Sequence, residues 1–109
     1  MPKRAILIAF TLKTKEFTSR YERVKFFKSL YGWKQIVPSK NREYEYRRPG
    51  LLNFIPHIKV DQSSFIIPED EIDEIMDFFE KWADKVIFRT FKVLLEDEEW
   101  EEMLGVRNG

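Results

Sequence analysis

A chain of 109 residues, 43% hydrophobic and 16% aromatic, holds enough apolar material for the core of one domain. The absence of cysteine and the single histidine, His57, exclude disulfides, thiolate metal sites and paired-histidine zinc motifs. The net charge is zero, yet residues 1–60 carry 14 Lys+Arg against 4 Asp+Glu, whereas residues 61–109 carry 5 against 15. A split of +10 and −10 along the chain predicts separate basic and acidic surfaces.

No apolar run approaches the roughly 18 residues of a membrane span, and "MPKRAILIAF" reads as a strand rather than a signal peptide. The expectation is a soluble, intracellular protein with no membrane contact. Abundant Lys, Glu, Arg and Ile without Cys also fit a thermophile.

"AILIAFTL", residues 5–12, is apolar on both faces and reads as a buried strand. Ser19 followed by Glu22 forms a capping box, and Tyr21, Val24, Phe27 and Leu30 recur at helical spacing up to Gly32. A helix over 20–31 follows. "WKQIV", closed by Pro38, is a strand candidate, and so is "SFIIP", residues 64–68. "EDEIDEIMDFFEKWADK" carries Ile72, Ile75, Met76, Phe79, Trp82 and Ala83 on one helical face, with acids in its first turn and Lys81 and Lys85 near its end. "VIFRTFKVLL", residues 86–95, is β-branched and aromatic and reads as a strand. "EDEEWEEMLG" predicts a last short helix with Trp100, Met103 and Leu104 facing the body.

The order strand, helix, strand, strand, helix, strand predicts a single α+β domain with a ferredoxin-like βαββαβ sandwich. Its antiparallel sheet would carry two helices on one face, with the first and third strands central and "WKQIV" and 86–95 outside. Between the second and third strands, residues 38–62 form an insertion, and residues 96–109 an acidic tail. Loops of that length are functional or carry their own structure. Tyr44 and Tyr46 alternate with charge, which suggests a hairpin, while "LLNFIPHIKV" is apolar enough to need the body or a partner.

Two pieces, the first strand with "SRYERVKFFKSLYGW" and "SSFIIPEDEIDEIMDFFEKWADKVIFRTFKVL", resemble the small ferredoxin-like proteins of CRISPR adaptation. The virulence-associated protein D family and the C-terminal domains of phenylacetate-pathway repressors look similar. The resemblance implies a strand, a basic helix ending in Gly plus an aromatic, and a last strand that helps form a homodimer. Its default activity is a metal-dependent nuclease, with an Asp at the end of the first strand. Here "IAFTLKT" places Phe10 and Thr11 there, and a Thr hydroxyl is a poor substitute for a carboxylate in binding a hard cation. The resemblance therefore implies a shape and a dimer, and it argues against carrying over the cleavage.

Cations and aromatic rings interleave in the first half of the chain. Arg20, Arg23, Lys28, Lys40, Arg42, Arg47 and Arg48 are candidate phosphate contacts, with Tyr44 and Tyr46 as stacking platforms for bases. The alternative is a solvated surface neutralised by the acids of the second half. Asp61, Glu69, Asp70, Asp73, Glu74 and Asp77 match no calcium-loop spacing and read as a solvated face. His57 has no nearby nucleophile, and no glycine-rich phosphate loop occurs. No cofactor or metal site is expected. The leading expectation is a non-catalytic protein that binds DNA or RNA. The alternative is an interaction module that docks a protein partner through 38–62 or the acidic tail. A nuclease working through Asp61 or Asp84 ranks third.

Overall fold

The computed structural model describes residues 2–17 and 19–108, with side chains through residue 105. In chain order it contains β1 (Lys3–Leu12), α1 (Arg20–Tyr31), β2 (Trp33–Ser39), β3 (Arg42–Arg48), β4 (Ile58–Asp61), β5 (Ser64–Pro68), α2 (Ile72–Lys81), β6 (Val86–Leu95) and α3 (Asp97–Asn108). Short 3-10 turns occupy Thr14–Glu16, Leu51–Phe54 and Glu69–Glu71. The strands form two antiparallel sheets, one of four strands in the order β4-β5-β1-β6 and one of two, β2-β3.

Side-chain alternation along β1 divides the larger sheet into two faces. Ile6, Ile8 and Phe10 point to one side, where Phe26 and Leu30 of α1 and Ile75 and Phe79 of α2 close the main core with Phe65 and Ile67. Phe10 lies near the centre, its ring 5.5 Å from those of both Phe26 and Phe79. Its position at the end of the first strand is therefore a packing position. On the other side, Ala5, Leu95 and Met103 are buried with Ile58, Ile66, Val93 and Trp100 against them, so α3 covers one end of that face. Met103 and Trp100 thus dock as their spacing suggests, and the acids of α3 stay in water.

Helix α1 starts where Ser19 Oγ accepts the Glu22 backbone N–H at 3.3 Å. The Glu22 carboxylate accepts a charged hydrogen bond from Lys85, which ties α1 to the turn after α2. Gly32 ends α1 at φ +80°, its N–H donating to Lys28 O at 2.8 Å. Helix α2 is shorter than its apolar stripe: it begins at Ile72 after a 3-10 turn and stops before Trp82, which leaves Ala83 exposed in a turn.

One expectation needs correction. The strand predicted at "WKQIV" forms, but it does not join the larger sheet. It pairs with Arg42–Arg48 in a separate hairpin, and the edge beside β5 goes to Ile58–Asp61. That edge lies inside the segment expected to be an insertion. The physical reason is adjacency: Asp61 Oδ1 accepts the Ser63 N–H at 2.7 Å and the Ser64 hydroxyl at 3.0 Å, closing a tight turn that pairs β4 with β5. β2 has no comparably short route to β5.

Candidate nucleic-acid interface

The β2-β3 hairpin contributes no side chain to either core cluster. It projects from the body, and the radius of gyration is 16.0 Å, against about 13 Å for a compact chain of this length. A lone two-stranded hairpin is marginal in water, so its root is fixed in another way. A Cβ on Gly50 would fall 2.2 Å from Gly32 N, and one on Gly32 would fall 2.7 Å from Arg48 O. The two glycines therefore let the chain pass backbone to backbone where the hairpin leaves α1. Asn53 Oδ1 accepts the Gly50 N–H at 2.7 Å and locks the crossing. At the tip, Asn41 takes the left-handed conformation at φ 62°, which asparagine tolerates better than most residues.

The hairpin register sorts its side chains. Trp33 pairs with Arg48, Gln35 with Tyr46, Val37 with Tyr44 and Ser39 with Arg42. Because side chains alternate across a strand, all eight share one face. That face holds three aromatic rings and two guanidinium groups and carries no acid. The opposite face holds Lys34, Ile36, Pro38, Glu43, Glu45 and Arg47, and its four charges cancel. Lys34 and Glu45 form an ion pair there at 3.4 Å.

On the aromatic face, Arg48 Nε donates to Gln35 Oε1 at 2.8 Å, and the guanidinium lies 5.7 Å from the Tyr46 ring. Tyr44 and Tyr46 are 45% and 47% exposed, and Trp33 is 38% exposed. The Lys28 ammonium sits 3.9 Å from the Trp33 ring centre, which joins the hairpin face to α1. Beyond Lys28, a hollow of about 530 Å³ is lined by Arg20, Arg23, Lys28, Lys59, Phe27 and Tyr31 among others. Its aromatic floor is set by the near-parallel Phe27 and Tyr31 rings, with Lys59 4.2 Å above Tyr31. Tyr31 is held by its hydroxyl, which donates to Gln62 O at 2.7 Å. Burial, with the nearby Asp61 carboxylate second, pushes this phenol up to about 12.

Of the residues singled out from the sequence, the structure brings Arg20, Arg23 and Lys28 to the hollow and Arg42, Arg48, Tyr44 and Tyr46 to the aromatic face. Arg47 points to the other face and Lys40 sits in the tip turn, so these two stand apart. Trp33, which interleaves with these cations in the sequence, joins the aromatic face as a third ring. One member has no forerunner in the sequence reading. Lys59 arrives only through the β4-β5 pairing and left no local signal. Among the described Lys and Arg side chains from 20 to 48, Lys34 is the one in a salt bridge, with Glu45 of the same hairpin. None of these cations is ion-paired with a described acid of the second half.

Asp61 has its Oδ1 committed to the β4-β5 turn, and Asp84 lines a separate hollow with Glu22, Lys81, Trp82 and Lys85. Among the described residues, no group of three or more His, Asp or Glu side chains is placed to hold a metal ion. His57 Nδ1 lies 2.8 Å from Ile55 O in a half-buried loop. No helix among the described residues is long and apolar enough to cross a membrane. No protein-family model, curated protein or solved structure matches the chain.

Proposed function

We propose that this protein binds nucleic acid without cutting it, through the hairpin face and the adjoining surface of α1. The observation that carries the reading is the register of β2 and β3. It segregates Trp33, Tyr44, Tyr46, Arg42 and Arg48 from the hairpin's acids and leads, through Lys28, to a hollow rimmed by Arg20, Arg23 and Lys59. Rings stack on bases and cations neutralise phosphates, and neither demands a particular sequence. Labelled DNA and RNA oligonucleotides, titrated at low and high salt, test it by fluorescence anisotropy. Micromolar or tighter affinity at low salt that weakens steeply with salt is the expected result. No detectable affinity at low salt removes the reading and leaves the hairpin as a protein-docking arm.

The body fits a ferredoxin-like βαββαβ unit made of β1, α1, β4, β5, α2 and β6, with the hairpin inserted after α1. The strand order β4-β5-β1-β6 and the shared core of α1 and α2 support this reading. A homodimer is part of the same proposal. On the sheet face that α3 only partly covers, Ile87 and Phe91 remain 51% and 48% exposed beside Leu7. Two exposed apolar side chains that flank Arg89 on an edge strand suit pairing with a second copy. Sedimentation velocity at micromolar concentration is expected to show a dimer that Phe91→Glu dissociates. A monomer at all concentrations removes the dimer.

A further inference from the structure

We infer that the strand bound by this interface is single-stranded, an inference that rests on the nucleic-acid reading above and names its ligand class. The rings on the hairpin face lie in successive rows of the ladder: Trp33 opposite Arg48, Tyr46 opposite Gln35, and Tyr44 opposite Val37. Same-face rows of an antiparallel pair are two residues apart, about 6.8 Å. Bases along one strand of a duplex rise by about 3.4 Å and are already stacked on both sides. A ladder with twice that step has no counterpart in a closed duplex. It matches a strand whose bases have separated, with one base for each ring.

A two-stranded ribbon can also lie in the major groove of a duplex, and the side chains here oppose that alternative. Groove reading needs hydrogen-bonding groups aimed at base edges. On this face Gln35 and Arg48 engage each other, Arg42 and Ser39 are confined to the row next to the tip, and each of the other three rows presents a flat ring. A ribbon sunk in the groove would also bring its second face, with Glu43 and Glu45, towards the phosphates of the groove wall. A single strand laid on the aromatic face leaves those carboxylates in water. Its phosphates then run past Arg42 and Arg48 to Lys28 and into the hollow of Arg20, Arg23 and Lys59. Three bases occupy the ladder, and the chain beyond them crosses the basic hollow.

The test compares three labelled probes at one low salt concentration: a strand of about ten nucleotides, the same strand annealed as a blunt duplex, and an abasic strand of equal charge. The intact strand is expected to bind at least about tenfold more tightly than either of the others. Tyr44→Ala and Tyr46→Ala are each expected to weaken single-strand binding by about fivefold or more, in line with the measured worth of base–aromatic stacking, and to leave duplex binding unchanged. Tyr44→Phe and Tyr46→Phe keep the ring and are expected to retain the affinity. Both positions are exposed, so these variants leave the core intact. Equal or tighter binding of the duplex, or equal binding of the abasic strand, overturns the single-strand inference and leaves the nucleic-acid reading in place. Failure of all three probes to bind overturns both.

Discussion

Tyr31 joins the basic helix to the sheet. Its ring forms the floor of the hollow, and its hydroxyl donates to the backbone of the β4-β5 turn through Gln62 O. Burial first and Asp61 second hold the phenol neutral, with its pKa raised from 10.0 to about 12. The folded state therefore keeps a proton that the unfolded chain releases above pH 10. The stabilisation is complete below that pH and is lost as pH rises through 12. Tyr31→Phe removes the hydrogen bond, at a cost of about 1 kcal/mol near neutral pH. It also removes this group's alkaline decline, so wild-type and variant stabilities are expected to converge between pH 10 and 12. Urea unfolding at several pH values across that window measures the convergence, and parallel curves would refute the account. Gly50 is the second residue on which the site depends, because any side chain there meets the Gly32 backbone. Gly50→Ala is expected to destabilise the protein by about 1–3 kcal/mol in the same assay, although its own φ of −101° suits alanine.

At the scale of elements, period and capping made much of the fold readable. β5 and β6 fall on their predicted residues, and α1 runs from Arg20 to Tyr31 as its stripe and cap require. These elements bury a face of their own, so local pattern and tertiary packing agree. Strand pairing is a different matter. "WKQIV" reads as a short outer strand, whereas "IKVD" falls in the segment expected to be an insertion, and alternation within a strand does not say which neighbour it will take. The choice was made by the Asp61 turn, a contact between near neighbours, and by the glycine crossing at 32 and 50, between residues whose meeting has no local signature. For the site, the mixture of cations and rings was legible. Their division between two faces was not, because it depends on the register of β2 against β3, which places Arg47 and Arg48 on opposite sides. The hairpin's independence from the core yields a direct prediction. Replacing 34–47 with a short Gly-Gly link between Trp33 and Arg48, which are already cross-strand neighbours, is expected to leave the body folded. Far-UV circular dichroism and a single cooperative melt check this, and the deletion is expected to abolish strand binding.

Over the whole molecule, charge is arranged by surface, and its consequence is a salt dependence. The acids of α3 lie on the far side of the sheet from α1, and Asp73, Glu74 and Asp77 of α2 face water. Attraction between the two halves of the chain therefore does not consume the cations of α1 and the hairpin. Five of them, Arg20, Arg23, Lys28, Arg42 and Arg48, lie along the proposed path, and Lys59 of β4 makes a sixth cation there. For a single strand, six neutralised phosphates give a slope of log K against log salt of about −4. Raising the salt from about 50 to 200 mM then lowers affinity about 300-fold. Arg23→Ala removes one contact and is expected to make the slope shallower by about 0.7. Arg47→Ala, on the acid-balanced face of the same hairpin, is expected to leave it unchanged. Anisotropy titrations of wild type and both variants over a salt series measure the three slopes. Equal slopes for Arg23→Ala and Arg47→Ala would mean that binding follows overall charge, and that the separation of the hairpin's two faces has no part in it.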